Sequence, residues 1–368
     1  MNKNWLIPAP PDKELLSDIE KLGMELKLPR LVAELLYRKG IKTSSEAQEF
    51  FNPSMENLYD PFLFPDMEKA VQRILKAIDN KEKITIYGDY DVDGTTATAL
   101  LYLGLKRIGA NIDFYIPHRM IDGYGLSLTS LDTLRENGSS LIISVDCGVN
   151  AIEEINAINS MGMEIIITDH HNPKDELPPA FAIINPKLVG MKYPYEHLAG
   201  VGVAYKLLIA IYMKLGIDTA ENKLKYMDLV AVGTIADIVP LNSENRIFAS
   251  IGLQHLIEKK NLGLNALIQI SGLNQKNLDT SDIVFGIAPR INAAGRMGSA
   301  SVSVELLIST DEAKSMELAE IIEHQNSLRQ QEDQKTFQEA CEIIEKKYKD
   351  MQQTSCMVIS SDDWHPGV

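Results

Sequence analysis

Three apolar segments in the first half of the chain each end in aspartate, and this arrangement constrains the fold more than any other feature. The segments lead into Asp89, Asp146 and Asp169. Each is short and rich in isoleucine and other β-branched residues, as buried strands are. The carboxyl ends of parallel strands meet at one edge of an open sheet, where ligands bind. We therefore predict that these acidic side chains converge on a single crevice.

Strand-like and helical segments alternate between residues 67 and 184, which predicts an α/β fold with a mostly parallel sheet and helices on both faces. Residues 203–214 and 225–239 are predicted to form further helices. No Gly or Pro interrupts residues 311–351, so a helix of about 40 residues and about 60 Å is expected there. Ser309 to Glu312 fits a capping box at its start. Its length and charge are typical of a connector between domains.

We interpret the chain as four regions. A new strand at Cys356 to Ser360 suggests that a second α/β domain begins near the end of this sequence. The regions are an N-terminal extension (1–65), a central α/β domain (66–300), a long connector helix (301–352) and the start of the second domain (353–368).

Composition excludes several classes of protein. No apolar run approaches the length needed to cross a bilayer, and the first residues lack the pattern of a secretory signal. The cysteines, 3 in number, show no paired spacing, which favours a reducing, cytoplasmic location. A net charge of −15 lowers the expectation of a nucleic-acid partner only modestly, because part of it belongs to the predicted acidic crevice.

The segment after the first strand indicates a metal site. Asp89, Asp91 and Asp93 alternate with other residues and precede Gly94. An EF-hand loop is excluded, because Leu100 stands where that loop needs a glutamate and a strand precedes the segment. One aspartate would be enough to cap the next helix, so three in five residues favour bound cations.

Further candidate ligands follow the later strands and a helix. Asp146 precedes a sharp turn at Cys147-Gly148, and His170 and His171 directly follow Asp169. Asp237 lies in an apolar setting that an isolated carboxylate avoids. Oxygen-rich ligands with one or two imidazoles suit manganese or magnesium.

Candidate phosphate ligands lie outside the acidic segments. Guanidinium groups match phosphate oxygens, and small neighbouring residues allow close backbone approach. Gly200 to Ala204 could suggest a dinucleotide site, but it lacks the third spaced glycine and is predicted to open a helix. The candidate phosphate ligands are Arg119, Arg290, Asn292 and Arg296.

The chain resembles the DHH-family phosphoesterases through Asp169-His170-His171. Residues 87–94, 145–148 and 233–241 resemble three further motifs of that family. Residues 289–297 resemble a segment characteristic of its bacterial single-strand-specific exonucleases. The resemblance implies 5′-to-3′ cleavage of single-stranded DNA into mononucleotides, in DNA repair and recombination, by a centre of two Mn²⁺ or Mg²⁺ ions. It also implies a DHHA1-like second domain, and a RecQ-type helicase and a single-strand binding protein as partners.

The resemblance also implies a ligand set and a place for His171. Asp93, Asp146, His170 and Asp237 would hold one ion. Asp91 and the bridging Asp146 would hold the other, with Asp89 nearby, and His171 would face the scissile phosphate. Two alternatives remain: an enzyme of the same family that acts on short oligonucleotides, cyclic dinucleotides or pyrophosphate, and a non-enzymatic scaffold that has lost its metal.

Overall fold

The computed structural model of the chain describes residues 9–119, 121–258, 260–347 and 356–367. The chain forms two compact units, Met1–Leu58 and Tyr59–Val368. The first unit contains helices α1 (Lys13–Leu26), α2 (Arg30–Arg38) and α3 (Ser44–Phe51). Leu22, Leu36, Ile41 and Ala47 form its apolar core.

The second unit is built on a five-stranded, fully parallel sheet, as the alternation of segments predicts. The strand order is β2-β1-β3-β4-β5, so the chain reverses direction across the sheet between β1 and β3. Every residue of β3 and most residues of β1 and β4 are buried, because helices cover both faces. The strands are β1 (Lys83–Gly88), β2 (Asn111–Tyr115), β3 (Leu141–Val145), β4 (Glu164–Thr168) and β5 (Ala182–Ile184).

Helices of the second unit connect the strands and then build a helical layer beyond the sheet. Short 3₁₀ turns (Met55–Asn57, Pro61–Leu63, Gln275–Asn277) and a π-helical turn (Ile283–Ile287) link some elements of the chain. The helices of this unit are α4 (Met67–Asp79), α5 (Val92–Arg107), α6 (Leu128–Glu136), α7 (Ile152–Ser160), α8 (Gly200–Lys214), α9 (Ala220–Leu224), α10 (Met227–Ala236), α11 (Ser243–Ile257), α12 (Leu262–Ile270), α13 (Thr280–Asp282), α14 (Ala288–Met297), α15 (Ser301–Ile308) and α16 (Glu312–Lys347).

The two faces of the sheet carry different helices. On one face, Leu131 and Leu134 of α6 and Ile155 of α7 join a core cluster with Ile142 and Ile165 of the strands. Helices α5 and α8 contact the sheet and each other, and α5 also packs on α10 and α15. This packing fixes the positions of α5, α8 and α10 relative to the ends of the strands.

A buried ion pair fixes the start of the second unit. Lys206 of α8 and Glu244 of α11 form a salt bridge, and both side chains are almost completely buried. The backbone N–H of Tyr59 donates to Glu244 Oε1 at 3.0 Å, and Lys206 Nζ donates to the carbonyl oxygen of Tyr59 at 2.8 Å. The hydroxyl of Tyr193 donates to the other carboxylate oxygen of Glu244. Both charges are therefore compensated within the protein.

The long helix is present as α16 and spans 36 residues. The helix contacts α12, α14 and α15. Its first half buries Leu318, Ala319 and Ile322, whereas Phe337 in its second half is 69% exposed. The helix is therefore a packed element at its start and a solvated one farther along. Residues 348–351 of the predicted helix lie outside the described residues.

The predicted capping box at the start of α16 is wrong. The side chain of Asp311 accepts from the backbone N–H of Lys314 at 2.7 Å, so Asp311 caps the helix. Ser309 Oγ donates to the carbonyl oxygen of Asp311 at 3.1 Å. Both residues are good caps, and the carboxylate nearest the first turn occupies the position.

The predicted strand at Cys356 to Ser360 is also wrong, because these residues have no regular structure. A strand needs a hydrogen-bonded partner, and no strand of the described residues pairs with this segment. The end of the chain instead contacts helices. Trp364 Nε1 donates to Glu339 at 2.9 Å, and Arg296 donates to the carbonyl oxygen of Gly367 at 2.9 Å. Residues 353–355 of the predicted second domain lie outside the described residues.

Candidate metal centre

The predicted acidic residues meet where the strand order reverses. Asp89 follows β1 and Asp146 follows β3, and these two strands are neighbours from which the chain leaves in opposite directions. Such a switch point opens a crevice at the carboxyl edge of the sheet. Asp169 follows β4, the next strand along. The sheet therefore delivers three carboxylates to one edge.

Among the described residues, two groups of side chains that share no residue are close enough to hold ions, and a third group overlaps both. In the first, carboxylate oxygens of Asp89, Asp91 and Asp146 lie within 4.8 Å of one another. In the second, ligand atoms of Asp93, His170 and Asp237 meet the same limit.

Asp146 lies at the junction of the two groups. Its Oδ1 is 3.1 Å from His170 Nε2, and Nε2 is also 3.8 Å from Asp93 Oδ2 and 3.7 Å from Asp237 Oδ2. Asp146 also groups with His170 and His171. The side chain therefore lies between the two groups.

Burial makes the charged form of this centre costly without cations. Burial, followed by the charge of Asp91, raises the pKa of Asp89 to about 7. Burial, followed by the charge of Asp93, raises the pKa of Asp146 well above its ordinary value and that of Asp237 to about 7. Burial also lowers the pKa of His170, which favours the neutral imidazole that binds metal.

Unpartnered oxygen atoms supply an independent test of whether metal ions fit. Among the described residues, nothing forms a hydrogen bond with the buried Asp89 Oδ1 or Asp146 Oδ1. Asp146 Oδ1 lies beside His170 Nε2 without hydrogen-bond geometry, as two ligands of one ion do. Buried polar atoms without partners are rare in native proteins. The carboxylate-rich donor set with one imidazole fits Mn²⁺ or Mg²⁺.

The backbone is strained at the central carboxylate. Asp146 has a φ of 60°, in the left-handed region that few residues other than glycine adopt. Its N–H still donates to the carbonyl oxygen of Thr168 at 2.9 Å, so the hydrogen bonding between β3 and β4 continues to this residue. Ile238, directly after Asp237, has a φ of 59°, which is unusual for a β-branched residue. Such conformations persist where the surrounding structure enforces them.

Helix α8 supports the centre in a way that the sequence motif did not indicate. Its predicted start at Gly200 is confirmed. The backbone N–H groups of Gly200 and Val201 donate to Asp93 Oδ2 at 2.6 Å and Oδ1 at 2.8 Å. A Cβ atom on Gly200 would lie 2.6 Å from Asp146 Oδ1. The helix therefore holds one carboxylate, and its glycine leaves room for another.

We expect the Gly200→Ala variant to bind Mn²⁺ about 10 to 100 times more weakly than the wild type, because the added methyl group must displace Asp146. Calorimetric titration with Mn²⁺ measures this change. Gly202→Ala is the matched control, since the three atoms nearest to its added Cβ would be apolar carbons, at 3.3 Å or more. Equal Mn²⁺ affinities in the two variants would show that a methyl group at position 200 does not displace Asp146.

Asp169 contacts His171, two residues later, and belongs to none of the ion-sized groups found among the described residues. Its Oδ1 accepts from the backbone N–H of His171 at 3.0 Å and lies 2.7 Å from His171 Nδ1, while Oδ2 accepts from Val149 N–H at 2.9 Å. The hydrogen bond with Asp169 raises the pKa of His171. Tyr124 Oη lies 3.1 Å from His171 Nε2. Both ring nitrogens of His171 are therefore held, a feature that the sequence motif alone did not reveal.

The candidate phosphate ligands fall into two environments. The guanidinium of Arg119 lies over the ring of Tyr90 at 5.2 Å, directly beside the first acidic segment. A Cβ atom on Gly295 would lie 3.0 Å from the carbonyl oxygen of Tyr90, so α14 approaches the same segment. Burial, and then the charges of Arg119 and Arg329, lower the pKa of Arg296. Arg119 and Arg296 are thus close neighbours near the acidic crevice.

The other two candidates are more enclosed by protein. Arg290 donates through Nε to Glu323 of α16 at 2.5 Å and through Nη1 to the carbonyl oxygen of Gly286 at 2.7 Å. Asn292 Oδ1 is buried and has no hydrogen-bond partner among the residues that the structure describes. Arg290 is therefore engaged in holding α14 against α16.

The raised pKa values predict how stability depends on pH in metal-free protein. Asp89 and Asp237 have folded pKa values of about 7, above the unfolded value of about 3.9. The folded state therefore favours the protonated form of these two side chains. The resulting stabilisation is complete below about pH 4 and is lost as the pH rises towards 7. Mn²⁺ relieves the repulsion, so we expect it to stabilise the protein more at pH 8 than at pH 5.5.

Chemical denaturation with EDTA or Mn²⁺ at both pH values measures this difference. A concentration of 100 times Kd corresponds to about 2.7 kcal/mol of stabilisation when no protons compete. Mg²⁺ provides a second ion for comparison. Equal stabilisation by Mn²⁺ at the two pH values would show that these carboxylates do not exchange protons for metal.

Within the described residues, no helix is both long and apolar enough to cross a membrane. The profile of the DHH family, N-terminal domain, matches residues 83–234, the stretch that carries most of the acidic centre.

Relatives and solved structures agree with that match. The chain is 40% identical over 364 residues to the single-stranded-DNA-specific exonuclease RecJ of Bacillus subtilis, covering 99% of this chain and 44% of that protein. It is 32% identical to a crystal structure of exonuclease RecJ bound to manganese, with a TM-score of 0.73 over 83% of this chain and 75% of that one. RecJ of Thermus thermophilus in complex with Mn²⁺ gives 28% identity and a TM-score of 0.79 over 98% of this chain and 50% of that one.

This chain spans less than half the length of the B. subtilis protein. The similarity nevertheless extends over almost all of the present sequence and over three quarters of one solved relative. The chain belongs to the RecJ family, within the wider DHH family.

Proposed function

We propose that this chain hydrolyses the phosphodiester bonds of single-stranded DNA from the 5′ end and releases mononucleotides, using two Mn²⁺ or Mg²⁺ ions. The observation that carries the proposal is the pair of ion-sized groups at the switch point of the sheet, which Asp146 of one group connects to His170 of the other at 3.1 Å. The RecJ relatives are named as single-stranded-DNA-specific exonucleases, and solved members bind Mn²⁺, which supports the same substrate and cofactor here.

The residues of the centre divide between the two ions as follows. Asp93, His170 and Asp237 would hold one ion, Asp91 the other with Asp89 nearby, and Asp146 would contact both. When bound, the ions supply an activated water and offset the charge of the phosphodiester.

The chain's own side chains orient the substrate. Asp169 holds His171 Nδ1 and favours the protonated imidazole, so His171 would present a cationic ring to the scissile phosphate. Arg119 and Arg296 would neutralise charge on the phosphoryl oxygens. Arg290, which is paired with Glu323, would act by keeping α14 in place.

We propose that residues 66–300 form the catalytic domain, preceded by an extension (1–65) and followed by a connector helix (301–352) and the start of a DHHA1-like domain (353–368). The acidic centre lies between Asp89 and Asp237, inside the second of these regions. We also propose a role in DNA repair and recombination in the cytoplasm, with a RecQ-type helicase and a single-strand binding protein as partners. The cysteines of the described residues are free, which suits a reducing compartment.

The test is Mn²⁺-dependent digestion of a long single strand labelled at either the 5′ or the 3′ end, with duplex as the comparison. We expect the 5′ label to appear at once as a mononucleotide, the 3′ label to appear last, and duplex to persist. The Asp91→Ala variant, which lacks a metal ligand, should be inactive with the same fold by circular dichroism.

Two results would redirect the proposal. Turnover of dinucleotides without cleavage of long strands would move the protein to the small-substrate enzymes of the family. A repeat with a chain that spans the full length of the relatives would show whether added domains restore cleavage of long strands. Failure to bind Mn²⁺ in calorimetry would favour the non-enzymatic scaffold.

A further inference from the structure

A cavity opens beside the metal centre, on the side of His171. It has a volume of about 200 Å³ and is lined by the segments around Tyr124, Val149 and Asp169. Sites that enclose whole drug-sized ligands have about 300 to 1,000 Å³. The cavity is therefore sized for one planar ring system and not for a complete nucleotide.

The floor of the cavity is apolar. Leu126, Cys147 and Val149 line it, and all three belong to the buried core cluster under β3 and β4. Gly148, between two of them, has a φ of 109° and brings no side chain to the floor. A flat aromatic surface would therefore contact fixed apolar groups without displacing a side chain.

The charge of the lining disfavours a phosphate. Within the part of the chain that the structure describes, no lysine or arginine lines the cavity. Its ionisable groups are the imidazole of His171 and the carboxylates of Asp169 and Glu154, and Glu154 is half-buried in the first turn of α7. The carboxylate of Glu154 forms no hydrogen bond or ion pair with any of the described residues. An unpaired acceptor next to an apolar floor suits a ligand edge that carries N–H groups, as every nucleobase does.

Tyr124 connects the cavity to the metal centre. It forms part of the wall, and its hydroxyl lies 3.1 Å from His171 Nε2. Gly123 and Gly125 on either side have φ values of 83° and 76°, which turn the chain sharply around the aromatic ring. Tyr124 as a whole is 58% exposed, and its ring makes T-shaped contacts with the rings of Tyr90 and His171. Exposed aromatic rings of this kind stack on bases.

We propose that this cavity binds the base of a nucleotide that adjoins the scissile phosphate, with the apolar floor and Tyr124 contacting its faces and Glu154 accepting from its N–H edge. The proposal rests on the proposed nuclease function and extends it by assigning a base subsite. Because every base has an apolar face and an N–H donor, the subsite binds nucleotides without demanding one sequence.

Abasic substrates test the assignment and identify the nucleotide concerned. Single strands carry a tetrahydrofuran residue in place of the first or the second nucleotide from the 5′ end. We expect kcat/KM of the wild type to fall about tenfold with one of these substrates and to change less than about twofold with the other. The affected substrate shows whether the departing nucleotide or its neighbour occupies the cavity.

Filling the cavity should remove the difference in kcat/KM between the intact and the abasic strands. In the Ala151→Phe variant, a new ring occupies the cavity, so the intact and abasic strands should be cleaved at nearly equal rates. Its melting temperature and Mn²⁺ titration verify the fold and the metal centre. Glu154→Gln should weaken the preference for the intact strand about threefold, whereas the exposed Glu153→Gln on the same turn should not change it.

The outcomes separate this inference from the proposed function. If the wild type cleaves intact strands and both abasic strands equally well, the cavity is not a base subsite and the nuclease function stands. If the wild type fails to cleave intact single strands with Mn²⁺, the nuclease function and the subsite are both refuted. If Ala151→Phe folds and keeps the wild-type preference, the base lies elsewhere.

Discussion

Replacing Asp146 by asparagine should lower the rate of Mn²⁺-dependent DNA cleavage by at least about a thousandfold. Asp146 groups with Asp89 and Asp91, and its Oδ1 lies 3.1 Å from His170 of the other ion-sized group. This oxygen is buried and has no hydrogen-bond partner in the described structure. Asparagine has nearly the same shape and tolerates the left-handed backbone at this position. The change therefore removes charge and leaves the strand edge intact.

Single-turnover cleavage and calorimetric titration with Mn²⁺ measure the two consequences. We expect the titration to show fewer bound ions than in the wild type, since the shared ligand is weakened for both. Asp132→Asn is the matched control, because its side chain is 67% exposed and pairs with Arg135 on the surface of α6. An Asp146→Asn protein that kept more than a tenth of wild-type activity would rule out a bridging role.

The Glu244→Gln variant should lose about 3 to 5 kcal/mol in the free energy of unfolding. The change leaves the charge of Lys206 in a site where both side chains are essentially inaccessible to water. Burial lowers the pKa of Lys206, and the charge of Glu244 opposes this lowering. Loss of the carboxylate therefore favours the neutral amine of Lys206. Urea denaturation in EDTA separates this effect from that of metal binding.

An exposed pair provides the comparison. Lys214 and Glu68 form a salt bridge with side chains that are 44% and 45% exposed, so Glu68→Gln should cost less than about 1 kcal/mol. The double variant Lys206→Met with Glu244→Gln should recover part of the lost stability, because no charge remains buried. A similar small loss for both single variants would mean that water reaches the Lys206 site.

The fold and much of the centre could be predicted because they depend on local patterns. Buried parallel strands have continuous apolar runs, and their ends are marked by Asp89, Asp146 and Asp169. The order of the strands then brings these residues to one edge. The parallel sheet that these repeated apolar runs predict was confirmed.

Contacts between distant segments could not be predicted in the same way. Nothing around Gly200 indicates that its N–H bonds Asp93, since the two meet only when α8 packs on α5. Arg290 has no acidic neighbour in sequence, yet Glu323 of α16 pairs with it. The strand predicted at Cys356 failed for the related reason that a strand depends on a partner supplied by other residues.

The distribution of the ligands along the chain determines how the centre can be lost. The candidate ligands come from the ends of three strands and from the end of α10, so a fragment must span residues 89–237 to contain both ion-sized groups. The centre consequently appears only after the sheet and α10 are assembled. Manganese affinity can therefore serve as a gauge of native assembly for any fragment, chimera or circular permutant of this protein.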